Sequence, residues 1–198
     1  ISPSTDPPLI QILPFWPNGK EPLPFEKEDF YQSAYCIANW DFSEGPYDAG
    51  LVWGPNMVVR KSVFEKGFRY EESIGPSGQN YIMGSETEFT KRLEENGFPA
   101  VFLPETSIQH QIREEQLTSK WLNKRAFRYG RADALNENFK NMPLLFNAPR
   151  YLWMLLFKIS IKRLWSVITL NKIRVFNLDI EYWMMKGRIH QFQEENKS

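Results

Sequence analysis

The sequence predicts an α/β fold that is followed by helical material toward the carboxyl end. Hydrophobic residues make up 42% and aromatic residues 15% of the chain, which is enough to bury a core and excludes a disordered protein. Short apolar runs before residue 60 and at 100–110 predict strands, while residues 85–97 and 117–134 have the apolar spacing of helices. The length of 198 residues fits one domain or one and a half.

Charge and cysteine content narrow the function classes. The 24 basic and 24 acidic residues give zero net charge, which argues against a general nucleic-acid-binding protein. The basic residues are nonetheless concentrated, because residues 150–174 carry six of them and no acid. Cys36 is the single cysteine, so no intrachain disulfide is expected and a reducing compartment is favoured. The chain starts at Ile1 without a signal-peptide pattern, and we therefore expect a fragment or a processed chain.

The first 50 residues are predicted to form a proline-rich connecting strap. Residues 1–55 contain nine of the 14 prolines. Because proline lacks a backbone donor and fixes φ, we expect mostly extended loop here, with one short helix at 26–36. Such a segment has little core of its own and should pack against another part of the protein.

Residues 51–140 are predicted to hold the α/β part of the chain, and residues 141–198 a helical tail. Gly54-Pro55-Asn56 predicts a turn, Gly67 the end of a helical turn, and Asn96-Gly97 the end of the clearest helix. Further apolar helical material is expected at 142–170. The predicted elements are, in order, strands at 51–53 and 57–60, a helix from Ser85 to Asn96, strands at 100–104 and 106–110, and a helix from Leu117 to Ala134.

Two carboxylates, Glu86 and Glu88, lie in the first turn of the helix that starts at Ser85. Ser85 and Glu88 have the spacing of a capping box, in which each side chain accepts from the other residue's backbone N–H, so Glu88 has a structural explanation. Glu86 has none of this kind. A carboxylate held ionised at a helix start can accept a proton from a substrate hydroxyl. The alternative is that Glu86 only complements the helix dipole.

His110 is predicted to close a strand and to precede a loop, a usual place for a site residue in α/β proteins. One histidine is weak support for zinc, which needs three or four protein ligands. A carboxylate-rich Mg²⁺ or Mn²⁺ site could use His110 as one ligand.

The helix at 116–131 carries five cations and no acid. Its positions 121, 124, 125 and 128 share one face, which places Trp121 beside cations. That arrangement suits a sugar ring stacked near phosphates. The alternative is a solvated basic helix.

Residues 151–174 are apolar with interspersed cations, and they lack the roughly 18 uninterrupted apolar residues that a spanning helix needs. Apolar positions 152, 155, 156, 159 and 164 fall on one side, and the cations are expected opposite. This pattern is typical of a helix lying in the membrane interface over anionic lipid. The alternative is a helix buried against another helix or subunit.

Taken together, five segments resemble the acceptor-side half of a family 2 glycosyltransferase with the GT-A fold. They follow one another in the family's order, cover about 80 residues, and are more specific as a set than singly. The segments are GPNMVVRKSVF (54–64), SIGPSG (73–78), MGSETEF (83–89), LPETSIQH (103–110) and REEQLTSKWLNKRAFRYGR (113–131). The resemblance implies a partial GT-A, Rossmann-like fold that lacks the N-terminal nucleotide-binding half and is followed by amphipathic C-terminal helices.

The resemblance also implies residue roles. Family members use an acidic pair, commonly Glu-Asp after a glycine, to supply the base that deprotonates the acceptor hydroxyl in inverting transfer. Here that pair is Ser85-Glu86, so Glu86 inherits the base role with one extra methylene. His110 would reach the donor diphosphate or its metal. The residues implied to line the acceptor or diphosphate are Asn56, Gln116, Trp121, Arg125 and Arg128.

One part of the family pattern is missing from this sequence. No two of the six aspartates are spaced i,i+2, so the Asp-x-Asp metal motif of the nucleotide-binding half has no counterpart here. The resemblance therefore implies the C-terminal part of an inverting hexosyltransferase, which would move a sugar from a nucleotide-sugar donor to a glycan or lipid-linked acceptor in polysaccharide or cell-envelope biosynthesis. It would be peripheral on the cytoplasmic face of an anionic membrane and inactive alone, and the complete enzyme would use Mg²⁺ or Mn²⁺. The alternative is a non-catalytic membrane-docking or interaction module derived from such an enzyme.

Overall fold

The computed structural model describes residues 8–75, 83–135 and 142–196. With 56% helix and 16% strand, the protein is a mixed α/β protein, which confirms the predicted class. It divides into two compact units. Unit 1 comprises Ile1–Trp16 and Tyr35–Ile112, and unit 2 comprises Pro17–Ala34 and Arg113–Ser198. The two units interleave along the chain, so neither coincides with one of the three predicted segments.

Unit 1 contains a three-stranded sheet of β1 (Pro8–Phe15), β2 (Gly45–Tyr47) and β3 (Ala100–Gln111). The order is β1-β3-β2, with β1 parallel and β2 antiparallel to the central β3. The prediction of loop at the chain start was therefore wrong for residues 8–15. A strand so far from its partner in sequence is stabilised by that partner, and proline counting cannot reveal it.

The two strands predicted at 100–104 and 106–110 form the single strand β3. Ile10 pairs with Leu103, whereas the next residue, Gln11, pairs with Ser107, so residues 104–106 of β3 bulge out of the ladder. Pro104 lies in the bulge, as expected for a residue without a backbone donor. The predicted interruption near residue 105 exists, but it is a bulge within one strand and not the end of a strand.

The strands predicted at 51–53 and 57–60 were wrong. Their place is taken by two short 3₁₀ turns, Ala49–Leu51 and Gly54–Asn56, and by the short helix α2 (Lys61–Glu65). The N–H groups of Leu51 and Val52 donate to carbonyl oxygens three residues earlier rather than to a neighbouring strand. Local turns therefore satisfy the backbone that a ladder would have satisfied.

Helix α3 (Ser85–Glu95) agrees with its prediction over most of its length. Phe89 and Leu93 are buried and pack with Val63 of α2. At the end, Gly97 adopts a φ of 84°, its N–H donates to Glu94, and the N–H of Phe98 donates to Leu93. These two bonds form the Schellman motif that Asn96-Gly97 predicted.

Among its described residues, unit 2 contains four α-helices and one small hairpin. The helices predicted at 26–36 and 117–134 are confirmed. Helix was also predicted from residue 142, but residues 144–149 form the hairpin. Pro143 and Pro149 disfavour a helix before them, and Phe146 and Asn147 both adopt positive φ. The bounds are α1 (Glu28–Tyr35), α4 (Ser119–Leu135), β4 (Leu144–Leu145), β5 (Ala148–Pro149), α5 (Arg150–Ile168) and α6 (Lys172–Glu195).

The core of unit 2 lies between α4, α5 and α6. Leu152 and Ile159 of α5 pack against Leu178, Met185 and Ile189 of α6. Among the described residues, no helix combines the length and the apolar character that crossing a membrane requires.

Candidate functional site

The first turn of α3 differs from its prediction. Gly84, with a φ of 105°, takes the N-cap position and makes no side-chain cap, while Ser85 is the first helical residue. The Ser85 hydroxyl donates to Oε2 of Glu86 at 3.0 Å. The predicted capping box between Ser85 and Glu88 is therefore wrong, because the left-handed glycine moves the helix start one residue earlier.

Glu88 has a structural partner other than the predicted one. Its Oε1 lies 2.6 Å from Nε of Arg92 and its Oε2 lies 3.1 Å from Nη2, a bidentate pair one turn along the helix. The hydrogen bonds from Arg92 to Glu88 raise the pKa of the guanidinium group. Glu88 is thus engaged in α3 itself, which leaves Glu86 as the less constrained carboxylate of the first turn.

Glu86 lies directly against the turn Gly54–Asn56. A Cβ added to Gly54 would lie 2.8 Å from Oε1 of Glu86, so the absence of a side chain lets the carboxylate occupy this place. Gly75 approaches the same helix start, since a Cβ there would lie 3.3 Å from the Ser85 hydroxyl oxygen. Gly54 therefore lies against the half-buried carboxylate itself, and Gly75 lies against the serine that donates to it.

Asn56 holds this turn in place. Its Oδ1 accepts from the backbone N–H of Trp53 at 3.0 Å, and its Nδ2 donates to the carbonyl of Ile10 in β1 at 2.8 Å. The side chain is only 1% exposed. Both ends of the amide are engaged within unit 1, so Asn56 positions the turn beside Glu86 and does not present a free amide to an acceptor.

Tyr70 is a neighbour of Glu86 that the sequence analysis missed. Burial and, second, the negative charge of Glu86 raise the pKa of the Tyr70 phenol. Its ring stacks on Phe89 of α3 with centroids 4.3 Å apart, which brings the phenol to the same end of the helix. No local signal marks Tyr70, because it lies 16 residues before Glu86 in an irregular segment. The phenol stays protonated and can donate a hydrogen bond near the carboxylate.

His110 lies near the end of β3 and is half-buried. Its Nδ1 lies 2.6 Å from the carbonyl oxygen of Tyr35. Because a carbonyl only accepts, Nδ1 carries a proton, and in the neutral ring Nε2 then holds the lone pair that a metal ion would meet. A phosphate oxygen is itself an acceptor and would need a protonated Nε2. Within residues 8–75, 83–135 and 142–196, however, no three histidine, cysteine or acidic side chains are grouped as a metal would require. The described residues therefore do not fit a complete metal site.

The remaining predicted site residues belong to unit 2. Gln116 is 7% exposed, and its Oε1 accepts from the backbone N–H of Arg113 at 2.8 Å, so it closes the turn before α4. Trp121 and Arg125 are adjacent as predicted, with the guanidinium carbon 6.0 Å from the indole centroid. Arg128, one turn further on, is half-buried.

The basic face of α4 is only partly solvated. Arg125 donates to the carbonyl of Ser33 at 3.1 Å, and its Nε is buried without a hydrogen-bond partner among the described residues. Arg131 is buried, its Nε donates to Gln191 at 3.0 Å, and burial lowers its pKa. Lys120 and Lys124 are exposed. A wholly solvated helix is therefore the wrong description of this surface.

The two sides of α5 are both apolar. Of the positions predicted to face a membrane, 152, 155, 156 and 159 instead face the core with α6, whereas Leu164 is exposed. The exposed side is a second apolar stripe, here called the outer face, flanked by the exposed Lys158 and Lys162. Arg163 pairs with Asp179 of α6 instead. The outer face consists of Met154, Phe157, Ile161, Leu164, Trp165 and Ile168.

Comparison with known proteins gave no match to a family model, a curated protein or a solved structure.

Proposed function

We propose that this chain is the acceptor-side part of an inverting glycosyltransferase, with Glu86 as the base. One observation carries the proposal: residues from three of the segments that resemble the family meet at the start of α3. Gly54 lies against the Glu86 carboxylate, and Gly75 lies against the side chain of Ser85, which donates to that carboxylate. A carboxylate that only complements a helix dipole needs no such approach by other segments. As part of the same proposal, the α/β fold is a partial GT-A fold.

Proton transfer and bond formation are coupled in the proposed step. Glu86 accepts the proton of an acceptor hydroxyl, and the acceptor oxygen forms a bond to the anomeric carbon of the donor sugar. The bond from that carbon to the nucleotide diphosphate breaks on the opposite side, so the configuration inverts and the diphosphate leaves with the electron pair. A positioned base of this kind contributes roughly 10²–10⁴-fold to the rate. In the complete enzyme, Mg²⁺ or Mn²⁺ would neutralise the diphosphate, but the residues described here supply no complete ligand set for it.

The neighbours of Glu86 have separate tasks in this proposal. Ser85 donates to Oε2 and so orients the carboxylate, while the space above Gly54 accommodates Oε1. Asn56 fixes the backbone that carries Gly54. The correct placement of the base thus depends on groups that never touch the substrate.

Trp121 and Arg125 are the proposed contacts to the acceptor or diphosphate in unit 2. A tryptophan beside a guanidinium group offers an apolar ring for a sugar face and donors for phosphate oxygens. Arg125 is half-buried and lies beside Trp121, so part of its guanidinium group remains open to a phosphate oxygen, which supports this assignment.

The test uses the protein expressed from the complete reading frame that encodes this chain. Glu86→Gln should abolish most sugar transfer while leaving donor binding and the melting temperature nearly unchanged. Glu88→Gln is the matched control, since it removes the same charge two residues away and should mainly lower stability by breaking the pair with Arg92. A Glu86→Gln protein that retains more than half of the activity would overturn the proposal.

A specific observation also favours the alternative of a membrane-docking module. Phe157, Leu164 and Trp165 on the outer face are 65%, 63% and 61% exposed. Exposed apolar side chains flanked by lysines fit the interface of an anionic membrane. We propose that this face holds the protein peripherally on an anionic cytoplasmic leaflet, whether or not the chain is catalytic.

Vesicle sedimentation tests the docking proposal. Binding should require acidic lipid, weaken with added salt, and fall in Phe157→Ser. Leu152→Ser is not a usable comparison because Leu152 lies in the core, so exposed Lys120→Ser serves as the surface control. Equal binding to neutral vesicles would contradict the electrostatic part, and unchanged binding of Phe157→Ser would exclude the outer face.

A further inference from the structure

A cavity of about 210 Å³ lies between α4, α5 and α6 of unit 2. Its walls are mainly apolar and come from all three helices. They consist of Phe127 of α4, Trp153 and Leu156 of α5, and Ile189 of α6. Cavities with apolar walls and few polar groups are typical ligand sites.

The polar edge of the cavity is formed by α6 alone. Lys186, His190 and Gln193 follow one another at spacings of four and three residues, which places them on one helix face. Lys186 forms no ion pair among the residues that the structure describes. Its ammonium group lies 4.7 Å from the ring centroid of Trp183 and 5.6 Å from that of Tyr182. Since the residues lining this cavity include no acid, the positive charge of Lys186 is not neutralised by another lining residue.

The walls are held in place before any ligand binds. The indole N–H of Trp153 donates to the carbonyl of Leu145 at 2.8 Å, and Nε2 of Gln193 donates to that of Phe146 at 2.9 Å. The rings of Phe127 and His190 lie 5.4 Å apart. A wall fixed in this way loses little conformational freedom on binding, which favours affinity.

The size of the cavity restricts its occupant. Sites for drug-sized ligands measure about 300–1,000 Å³, so this cavity holds only part of a larger molecule. Trp153 in the wall is one helical turn from Phe157 on the outer face, and the rest of the molecule can therefore follow exposed apolar surface. An alkyl chain has the shape for this path, and an anionic headgroup complements Lys186.

We propose that the cavity binds one alkyl chain of a membrane lipid that carries an anionic phosphate headgroup, with the phosphate at Lys186. The site would add recognition of an individual lipid to the general attraction between the outer face and a membrane. It does not depend on sugar transfer, which involves Glu86 in unit 1, and it would survive the failure of that proposal.

Calorimetric titration of the whole protein with dodecyl phosphate, below its critical micelle concentration, tests the charge recognition. We expect one molecule bound per chain and roughly tenfold weaker binding to Lys186→Gln, because a charge-assisted hydrogen bond is lost. Lys186→Arg should restore most of the affinity, and Lys120→Gln, an equal charge change at an exposed position of α4, should leave it unchanged. Dodecylphosphocholine and inorganic phosphate should each bind much more weakly. Equal binding of dodecylphosphocholine would overturn the recognition of charge, and equal binding of inorganic phosphate would overturn the recognition of a chain.

Fluorescence quenching by dodecyl phosphate brominated at the chain end tests the location. Quenching should be saturable and should fall in Trp153→Phe, since Trp153 forms part of the wall. Trp165→Phe is the matched control, because Trp165 lies on the outer face and should not report a chain inside the cavity. Quenching that is lost in Trp165→Phe but kept in Trp153→Phe would place the chain on the outer face and overturn the proposal.

Discussion

Gly130 of α4 and Gly187 of α6 bring the backbones of two helices into direct contact. A Cβ added to Gly130 would overlap the carbonyl oxygen of Met184 in α6, and a Cβ added to Gly187 would overlap that of Phe127 in α4. The relationship is reciprocal, so each helix needs the glycine of the other at the crossing. The same crossing brings Phe127 beside α6, where it forms a wall of the cavity.

The first prediction concerns this crossing. Gly130→Ala should lower the free energy of unfolding by more than about 3 kcal/mol, because a new atom would meet backbone that cannot move alone. Helix propensity by itself predicts the opposite sign, a gain of about 1 kcal/mol for alanine over glycine. Denaturant unfolding followed by circular dichroism measures the difference. A variant as stable as the parent would show that the two helices are further apart than described.

The second prediction concerns Gly54 and compares it with Gly50. A Cβ at Gly54 would lie 2.8 Å from Oε1 of Glu86, and one at Gly50 would lie 2.9 Å from Cε of Lys91. Each substitution to alanine therefore pushes the end of one flexible α3 side chain. Gly54→Ala should reduce sugar transfer by roughly 10²-fold, the size typical of a misplaced catalytic group, with little change in melting temperature. Gly50→Ala should leave transfer unchanged. Equal effects of both variants on transfer would show that Glu86 is not the base.

The third prediction is a titration that reports the distance between Tyr70 and Glu86. A negative Glu86 disfavours the phenolate, so Glu86→Gln should lower the pKa of Tyr70, while burial keeps that pKa above 10.0. Glu88→Gln should leave it unaltered. Carbon-13 NMR of labelled tyrosine rings follows the titration. If the pKa of Tyr70 is the same in Glu86→Gln as in the parent, the two side chains are too far apart to interact.

The same shift has a consequence for stability with a definite sign. The folded pKa of Tyr70 is raised, so the unfolded chain loses this proton at a lower pH than the folded chain does. The associated stability is present below pH 10.0 and is lost as the pH rises through the folded value. Tyr70→Phe should therefore flatten part of the decline in melting temperature above pH 10.0.

The fourth prediction concerns the proposed binding residues in unit 2. Arg125→Gln should raise the KM for the acceptor or the nucleotide-sugar more than it changes kcat, because a charged donor near Trp121 is lost. Lys124→Gln is the matched control, since it removes an exposed charge from the neighbouring position. Steady-state kinetics with both substrates decides the matter, and identical constants for both variants would return Arg125 to a purely structural role.

Local sequence was sufficient to predict a structural feature wherever the interactions that stabilise it join residues a few positions apart. The apolar spacing of Phe89 and Leu93 and the Asn96-Gly97 signal predicted the body and the end of α3, because helical bonds and Schellman bonds reach only three to five residues. The placement of Trp121 beside Arg125 followed from helix geometry for the same reason. Glu86 could be singled out as a carboxylate at a helix start without any structure.

Tertiary structure decided what depends on distant partners. β1 is a strand because β3, about 90 residues later, pairs with it. The segments around Val52 and Val58 are not strands, because turns satisfy the neighbouring backbone groups. The apolar pattern of α5 could not say which of two apolar sides faces α6, since only the buried contacts distinguish them. Gly54 and Tyr70 became neighbours of Glu86 through packing between segments with no shared local pattern. Hydrogen bonds within a helix act over a few residues, whereas sheet pairing and burial act between any residues that the fold brings together, and no short stretch of sequence encodes the partner.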